Sequence, residues 1–200
     1  MAQTRTGITE LDAFTTHLDR IVTENTSDSG SNARGIVEAV RPHFEKLVAD
    51  TSWLDTHYLR PTREGDDTTH MLAKAPDDSW TIASVVFPPG FSTPIHDHAI
   101  WGLVGVARGV ENESRYVRHD DRTTAGYAKL EYVGEAQNLP GAVGHIIPPE
   151  DEIHLIHNPL TTESVSIHVY GGDLDATWRH KFDPETDSVE DYISTYTITC

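Results

Sequence analysis

Between residues 70 and 170 the chain is cut into short runs, rich in β-branched and aromatic side chains and separated by Gly, Pro and Asn. No run is long enough for an ordinary helix, so each must find its backbone partners in another run. The candidate strands are 70–73, 81–87, 103–107, 114–117, 128–133, 144–147, 153–157 and 165–170. Many short strands punctuated in this way point to an all-β sandwich or jelly roll.

Upstream the texture is helical. Ile8, Leu11, Phe14, Leu18, Ile21 and Val22 fall on one face, and after a polar stretch from Glu24 to Asn32 the residues Ile36, Val37, Val40, Phe44, Leu47 and Val48 repeat the pattern. Pro42 is expected to start a new segment or to kink the second run. Arg60-Pro61 and the acidic turn Glu64-Gly65-Asp66-Asp67 then mark a boundary. The expected organisation is a helical lead, 1–60, packed on the outside of a barrel, 61–200.

The formal charge is 15 − 32 = −17, spread along the chain. Such a surface repels nucleic acid and anionic membranes, and neither is expected as a partner. The lysines number only four (Lys46, Lys74, Lys129, Lys181), and an acidic, lysine-poor surface points to adaptation to high salt, where screening weakens self-repulsion. Cys200 is the only cysteine and the last residue, which leaves no intramolecular disulfide or thiolate metal cluster. The N-terminus has no apolar signal-like region and no apolar run reaches membrane-spanning length, so a cytoplasmic protein is expected. Nothing in the sequence sets the oligomeric state.

The chemistry gathers after the turn Pro88-Pro89-Gly90. His96 and His98 lie at i and i+2, which on an extended strand points both imidazoles to one face. A chain with 12 histidines holds roughly 0.7 such pairs by chance, so the pair needs partners. Downstream, Ser166, His168 and Tyr170 at i, i+2 and i+4 share a strand face and can form a hydrogen-bonded row. His157, three places after His154, points to the opposite strand face and reads as structural.

Gly90, five residues, then His96-Asp97-His98 resembles the first motif of the cupin superfamily, and His154 with Asn158 four places on resembles the second. Where many cupins carry a glutamate as fourth ligand this chain has Gly102. The resemblance therefore implies a cupin double-stranded β-helix, a jelly-roll barrel in a mainly β chain, with a metal site of His96, His98 and His154. Three neutral imidazoles would leave a divalent ion its full charge and open positions. Geometry alone admits Zn, Ni, Co, Mn or Fe.

The row Ser166-His168-Tyr170 is similar to that of the thiol dioxygenases, the cysteine dioxygenase family. The runs 101–109 and 170–184 are similar to bacterial members acting on mercaptopropionate. This resemblance covers the C-terminal two thirds of the chain. It implies Fe(II) as cofactor, dioxygen and a small thiol acid as substrates, and a sulfinate as product. Tyr170 would hydrogen-bond at the metal site, oriented by His168 and Ser166, and with glycine at 102 it should be a free phenol. Arg179, nine residues after Tyr170, stands where mercaptopropionate dioxygenases carry their carboxylate anchor. The cysteine-type anchor would fall near His70, flanked by Thr68 and Thr69, and Arg60 is a displaced substitute. Two other readings stay open: a cupin enzyme of different chemistry, such as another dioxygenase or an isomerase, and a non-catalytic cupin that binds a metal or small ligand.

Overall fold

The computed structural model describes residues 6–27, 30–63 and 65–197. Glu64 and Cys200 lie outside the described residues. The two helical patterns form α1 (Thr9–Glu24) and α2 (Ala33–Ala49), joined through a small ladder of β1 (Thr26–Ser27) and β2 (Gly30–Ser31). Asn32 caps α2, its side-chain oxygen accepting the Gly35 N–H at 3.0 Å. Pro42 does not open a new segment: α2 runs through it. The proline is on the solvent face, where water can satisfy the carbonyl left without a donor.

The barrel strands are β3 (Thr68–Lys74), β4 (Thr81–Phe87), β5 (Ile95–His96), β6 (Gly102–Arg108), β7 (Glu111–Arg118) and β8 (Leu130–Asn138). They continue with β9 (Val143–Ile146), β10 (Ile153–His157), β11 (Ser164–Tyr170), β12 (Arg179–Asp183) and β13 (Ser188–Tyr192). One sheet runs β3-β4-β11-β6-β9 and the other β13-β12-β5-β10-β7-β8, with every pairing antiparallel. Their inner faces meet where Val85 and Phe87 of β4 pack on Ile156 of β10. The chain is thus mainly β, a double-stranded β-helix with helices at its N-terminal end. All eight candidate strands are present, with ends that differ by up to five residues. β5, β12 and β13 were not anticipated: β5 spans two residues, and the other two are short, charged strands with a single apolar anchor each, Phe182 and Val189, packed in one cluster with Ile95 and Ile153.

The helices cover the outer face of the smaller sheet. Leu11, Phe14, Leu18, Val40 and Phe44 share one core with Ile82 of β4, Leu103 of β6 and Ile167 and Val169 of β11. Close approach is possible because Gly105 has no side chain: a Cβ there would meet Val48 Cγ2 at 2.5 Å and Phe44 Cε1 at 3.1 Å. With its outer face buried in this way, β11 is held rigidly, and its inner face becomes a fixed platform inside the barrel. No described helix is long and apolar enough to cross a membrane.

Candidate metal centre

His96 on β5, His98 just after it and His154 on β10 are buried together, with ligand atoms within 4.8 Å of one another. His154 sits opposite His96 in the β10–β5 register, so strand pairing, not a loop, brings the two motifs together. His96 Nδ1 lies 3.0 Å from Pro94 O. A carbonyl only accepts, so Nδ1 carries the proton and Nε2 is left with its lone pair. His154 Nδ1 donates to Glu113 Oε1 at 2.8 Å. His154 Nε2 then faces His98 Nε2 at 2.9 Å, the approach of two acceptor nitrogens that share a cation or a proton. His98 Nδ1 is buried without a hydrogen-bond partner. Burial first, then neighbouring positive groups, hold His96 and His98 well below the usual imidazole range. Convergent, with His96 and His154 each held from behind through Nδ1, this donor set fits a divalent transition metal.

The surrounding carboxylates brace the cluster. Glu113 is buried, which opposes ionisation, yet the His154, Arg115 and Asn138 contacts together bring it down to about 2. As a carboxylate it is the acceptor that fixes the His154 tautomer. Arg115 reaches Glu113 Oε1 at 2.9 Å and also pairs with Asp151. Glu152 accepts the N–H of Ala99 at 2.8 Å and that of His98 at 3.4 Å. It thereby holds a segment in which Ala99 takes a positive φ of 59°. Asp97, between the two histidines, accepts from His180 N–H at 2.7 Å and from the His180 ring at 2.6 Å. That contact ties the first motif to β12 and so to Arg179.

Ser166, His168 and Tyr170 form the expected row. Ser166 Oγ is 2.8 Å from His168 Nε2, and His168 Nδ1 is 2.6 Å from the Tyr170 hydroxyl. Burial first, then His154 and Arg179, lower His168 to about 3, so it is a neutral ring. Burial raises Tyr170, opposed by Arg179, which keeps it a protonated phenol. The Tyr170 ring stacks on His98 with centroids 5.5 Å apart, so the row ends at the histidine cluster. Gly102 is directly opposite Tyr170 in the β11–β6 register. A Cβ there would lie 3.1 Å from Tyr170 Cδ1 and 3.2 Å from Val169 O, and the tyrosine ring takes the space a glutamate ligand would need.

A cavity of about 370 Å³ joins these groups; its lining includes His96, His98, His154, His168, Tyr170 and Arg179. Val85, Phe87, Phe91 and Ile156 give the lining an apolar part, and Tyr192, Ser194, Thr195 and Thr197 bring the C-terminal strand and tail into it. The tail is fixed there by reciprocal bonds of Thr197 with Thr69, at 2.9 and 3.1 Å. Arg179 is 4% exposed, and its guanidinium stands 4.9 Å over the Tyr192 ring. Its Nε has no hydrogen-bond partner. A buried guanidinium with an open donor is costly unless an anion completes it.

Arg60 is not brought to this cavity: its side chain is exposed, and its carbonyl accepts from His70 Nε2 at 3.0 Å. His70 is turned to the outer face of β3 among Tyr58 and His57, and Thr69 faces the cavity instead. His157 is held away from the cluster by Ser92 Oγ at 2.9 Å and Phe91 O at 3.2 Å. Asn158 is a turn clasp, its amide donating toward the carbonyls of Phe87, Pro88 and Thr162. The residues that sequence reasoning missed are Asp97, Glu111, Glu113, Glu152 and His180. One local signal existed: Glu111, Glu113 and Arg115 alternate on a strand and so share one face.

No family model matches the chain. Among solved structures it is similar to an oxalate oxidase complexed with glycolate, at 16% identity over 57% of this chain and 55% of that one, TM-score 0.43. A second oxalate oxidase matches at 21% identity over 47% and 42%, TM-score 0.36. The similarity thus spans about half the length of those oxidases. A cupin-superfamily sugar phosphate isomerase from Silicibacter pomeroyi matches at 14% identity over 70% of this chain and 92% of that one, TM-score 0.42. These neighbours are distant, and the chemistry of the site is carried by the chain's own residues: three convergent imidazoles, a Ser-His-Tyr row that ends on them, and a buried arginine beside both.

Proposed function

We propose that the protein is an iron-dependent thiol dioxygenase that converts a small thiol carboxylic acid to its sulfinate. The observation that carries this reading is Arg179, buried with an open Nε in the cavity that also holds the three histidines and Tyr170. A fixed guanidinium fork suits a planar carboxylate, and a substrate anchored there would direct its other end to the histidines. Fe(II) bound by His96, His98 and His154 would supply open positions and the one-electron steps that let a thiolate react with dioxygen.

The chain's own groups then set the geometry. Arg179 binds the carboxylate and offsets its charge. The Tyr170 hydroxyl, kept protonated, donates a hydrogen bond beside the reacting atoms, while His168 and Ser166 hold it in place. Val85, Phe87, Phe91 and Ile156 exclude water from the apolar part of the lining. The balance is R–SH + O2 → R–SO2H: sulfur loses four electrons, dioxygen accepts them, and both oxygen atoms end on sulfur.

Mercaptopropionate fits this arrangement, with one carboxylate and no ammonium. One observation favours cysteine as a second reading: Asp67, an exposed carboxyl, also lines the cavity and offers an ammonium an acceptor. Oxygen uptake by the anaerobically Fe(II)-loaded protein, with the two thiols in parallel, tests both. Uptake that prefers mercaptopropionate supports the first reading, and a preference for cysteine supports the second. No uptake with either, in protein shown to hold iron, sends the site to another cupin chemistry or to metal binding without turnover.

A further inference from the structure

Beyond Ser166, at the end of the row away from Tyr170, stands a further buried polar group. Across the barrel, Glu111 of β7 is 1% exposed, and its carboxyl lies beside the hydroxyls of Ser166 and Ser164. Neither Glu111 Oε1 nor Ser164 Oγ has a partner in good hydrogen-bond geometry. Around this end of the barrel stand Glu113 and Arg115 on the same strand, Asn138 from β8, His145 from β9 and His154 from β10. The charged group that bears on Glu111 is Glu113, of like sign. Burial, only partly offset by the two serines, raises Glu111 to about 7. A buried carboxyl at one end of a row whose other end is Tyr170 is not used by any step above.

His168 is neutral and has one N–H to share between two neighbours, Ser166 at Nε2 and Tyr170 at Nδ1. The row therefore has two directions, and the group beyond Ser166 chooses between them. We infer that Glu111 is a positioning residue that sets this direction and stores the proton the row delivers. As a neutral acid it donates to Ser166, Ser166 donates to His168 Nε2, and His168 Nδ1–H donates to the Tyr170 oxygen. Tyr170 then has its own O–H free to donate into the cavity. As a carboxylate Glu111 accepts from Ser166, each bond reverses, and Tyr170 donates to His168 and shows the cavity only lone pairs.

The two states differ by one proton. When Tyr170 gives its proton to the cavity, the His168 proton passes to Tyr170, the Ser166 proton to His168 and the Glu111 proton to Ser166. Only Glu111 changes charge. A proton released by an incoming thiol would travel the reverse way. That use in turnover rests on the thiol reading; the switch of direction does not.

The test is nitrogen-15 NMR of the full chain with labelled histidine, loaded with diamagnetic Zn(II) so that the ligand rings are held in one tautomer, between about pH 5.5 and 8.5. One ring, identified by its loss in His168→Asn, should move its proton from Nδ1 to Nε2 with a midpoint near 7. Glu111→Gln should abolish that titration. Ser166→Ala should leave Glu111 in place but uncouple His168, so that its tautomer no longer follows pH. The inference is overturned if wild-type His168 keeps one tautomer across the range, or if the same titration persists in either variant. No turnover is needed for this readout, so failure to oxidise a thiol would count against the proposed function alone.

Discussion

The two faces of β11 are equally buried and chemically opposite. Outward, Val165, Ile167 and Val169 are fully covered, with Ile167 and Val169 in the core shared with the helices; inward, Ser166, His168 and Tyr170 are covered by the opposite sheet and the cavity. A strand with only a structural task would do better with apolar groups on both sides, because a buried polar atom without a partner costs about 1–3 kcal/mol. The inner face offsets that cost by bonding to itself at 2.8 and 2.6 Å. Stability and chemistry are thus divided across one strand a few ångströms thick, and changes on the two sides should be separable.

The sharpest break comes from the outer side. Ile167→Ala should lower unfolding stability by about 2–5 kcal/mol, while kcat/KM per folded molecule stays near wild type; denaturant melts beside active-site titration check this. Arg179→Ala should do the reverse, leaving stability nearly intact and costing about 2–4 kcal/mol in kcat/KM, as loss of one partner of a buried charge pair does. An unchanged kcat/KM would remove Arg179 from substrate binding. Glu113→Gln should weaken metal affinity by about 10–100-fold through loss of the carboxylate that fixes His154, read by competition with a chelator.

A smaller effect is a pH dependence of opposite sign within the inner face. His168 is lowered to about 3 from an unfolded value of 6.5, so its contribution is complete above pH 6.5 and is lost as pH falls toward 3. Glu111 is raised to about 7 from 4.5. It stabilises the fold below 4.5, and that contribution is lost as pH rises through 7. Glu111→Gln should therefore gain stability relative to wild type on going from about pH 5 to about pH 8. Urea melts of both proteins at the two values measure it, and a constant difference would mean that Glu111 is ionised throughout.

Much of this was legible in order of locality. The short β-branched runs 81–87, 153–157 and 165–170, bounded by turn residues, predicted strands, and the two-residue period of Ser166-His168-Tyr170 placed its three groups on one face. What pairs with what was less accessible. Asp97 and His180 are 83 residues apart, as are their roles: one lies in the first histidine motif and the other beside Arg179. β12 and β13 carry no apolar stripe to announce them, and β5 spans only two residues. On β3 counting could reach only the neighbourhood of His70, and in a strand one residue exchanges faces: Thr69 lines the cavity while His70 is turned outward. Pro42 was read by its local cost, which an exposed position in an otherwise well-packed helix absorbs.

The central claim is that the inner face of the barrel directs both atoms of dioxygen to one sulfur. It is tested most directly by turnover of mercaptopropionate with Fe(II)-loaded protein under isotopically labelled dioxygen, followed by mass analysis of the product. The account predicts a sulfinate carrying both labelled atoms, made in step with oxygen consumed. Label recovered only in water or peroxide, or a sulfinate whose oxygens come from solvent, would contradict it.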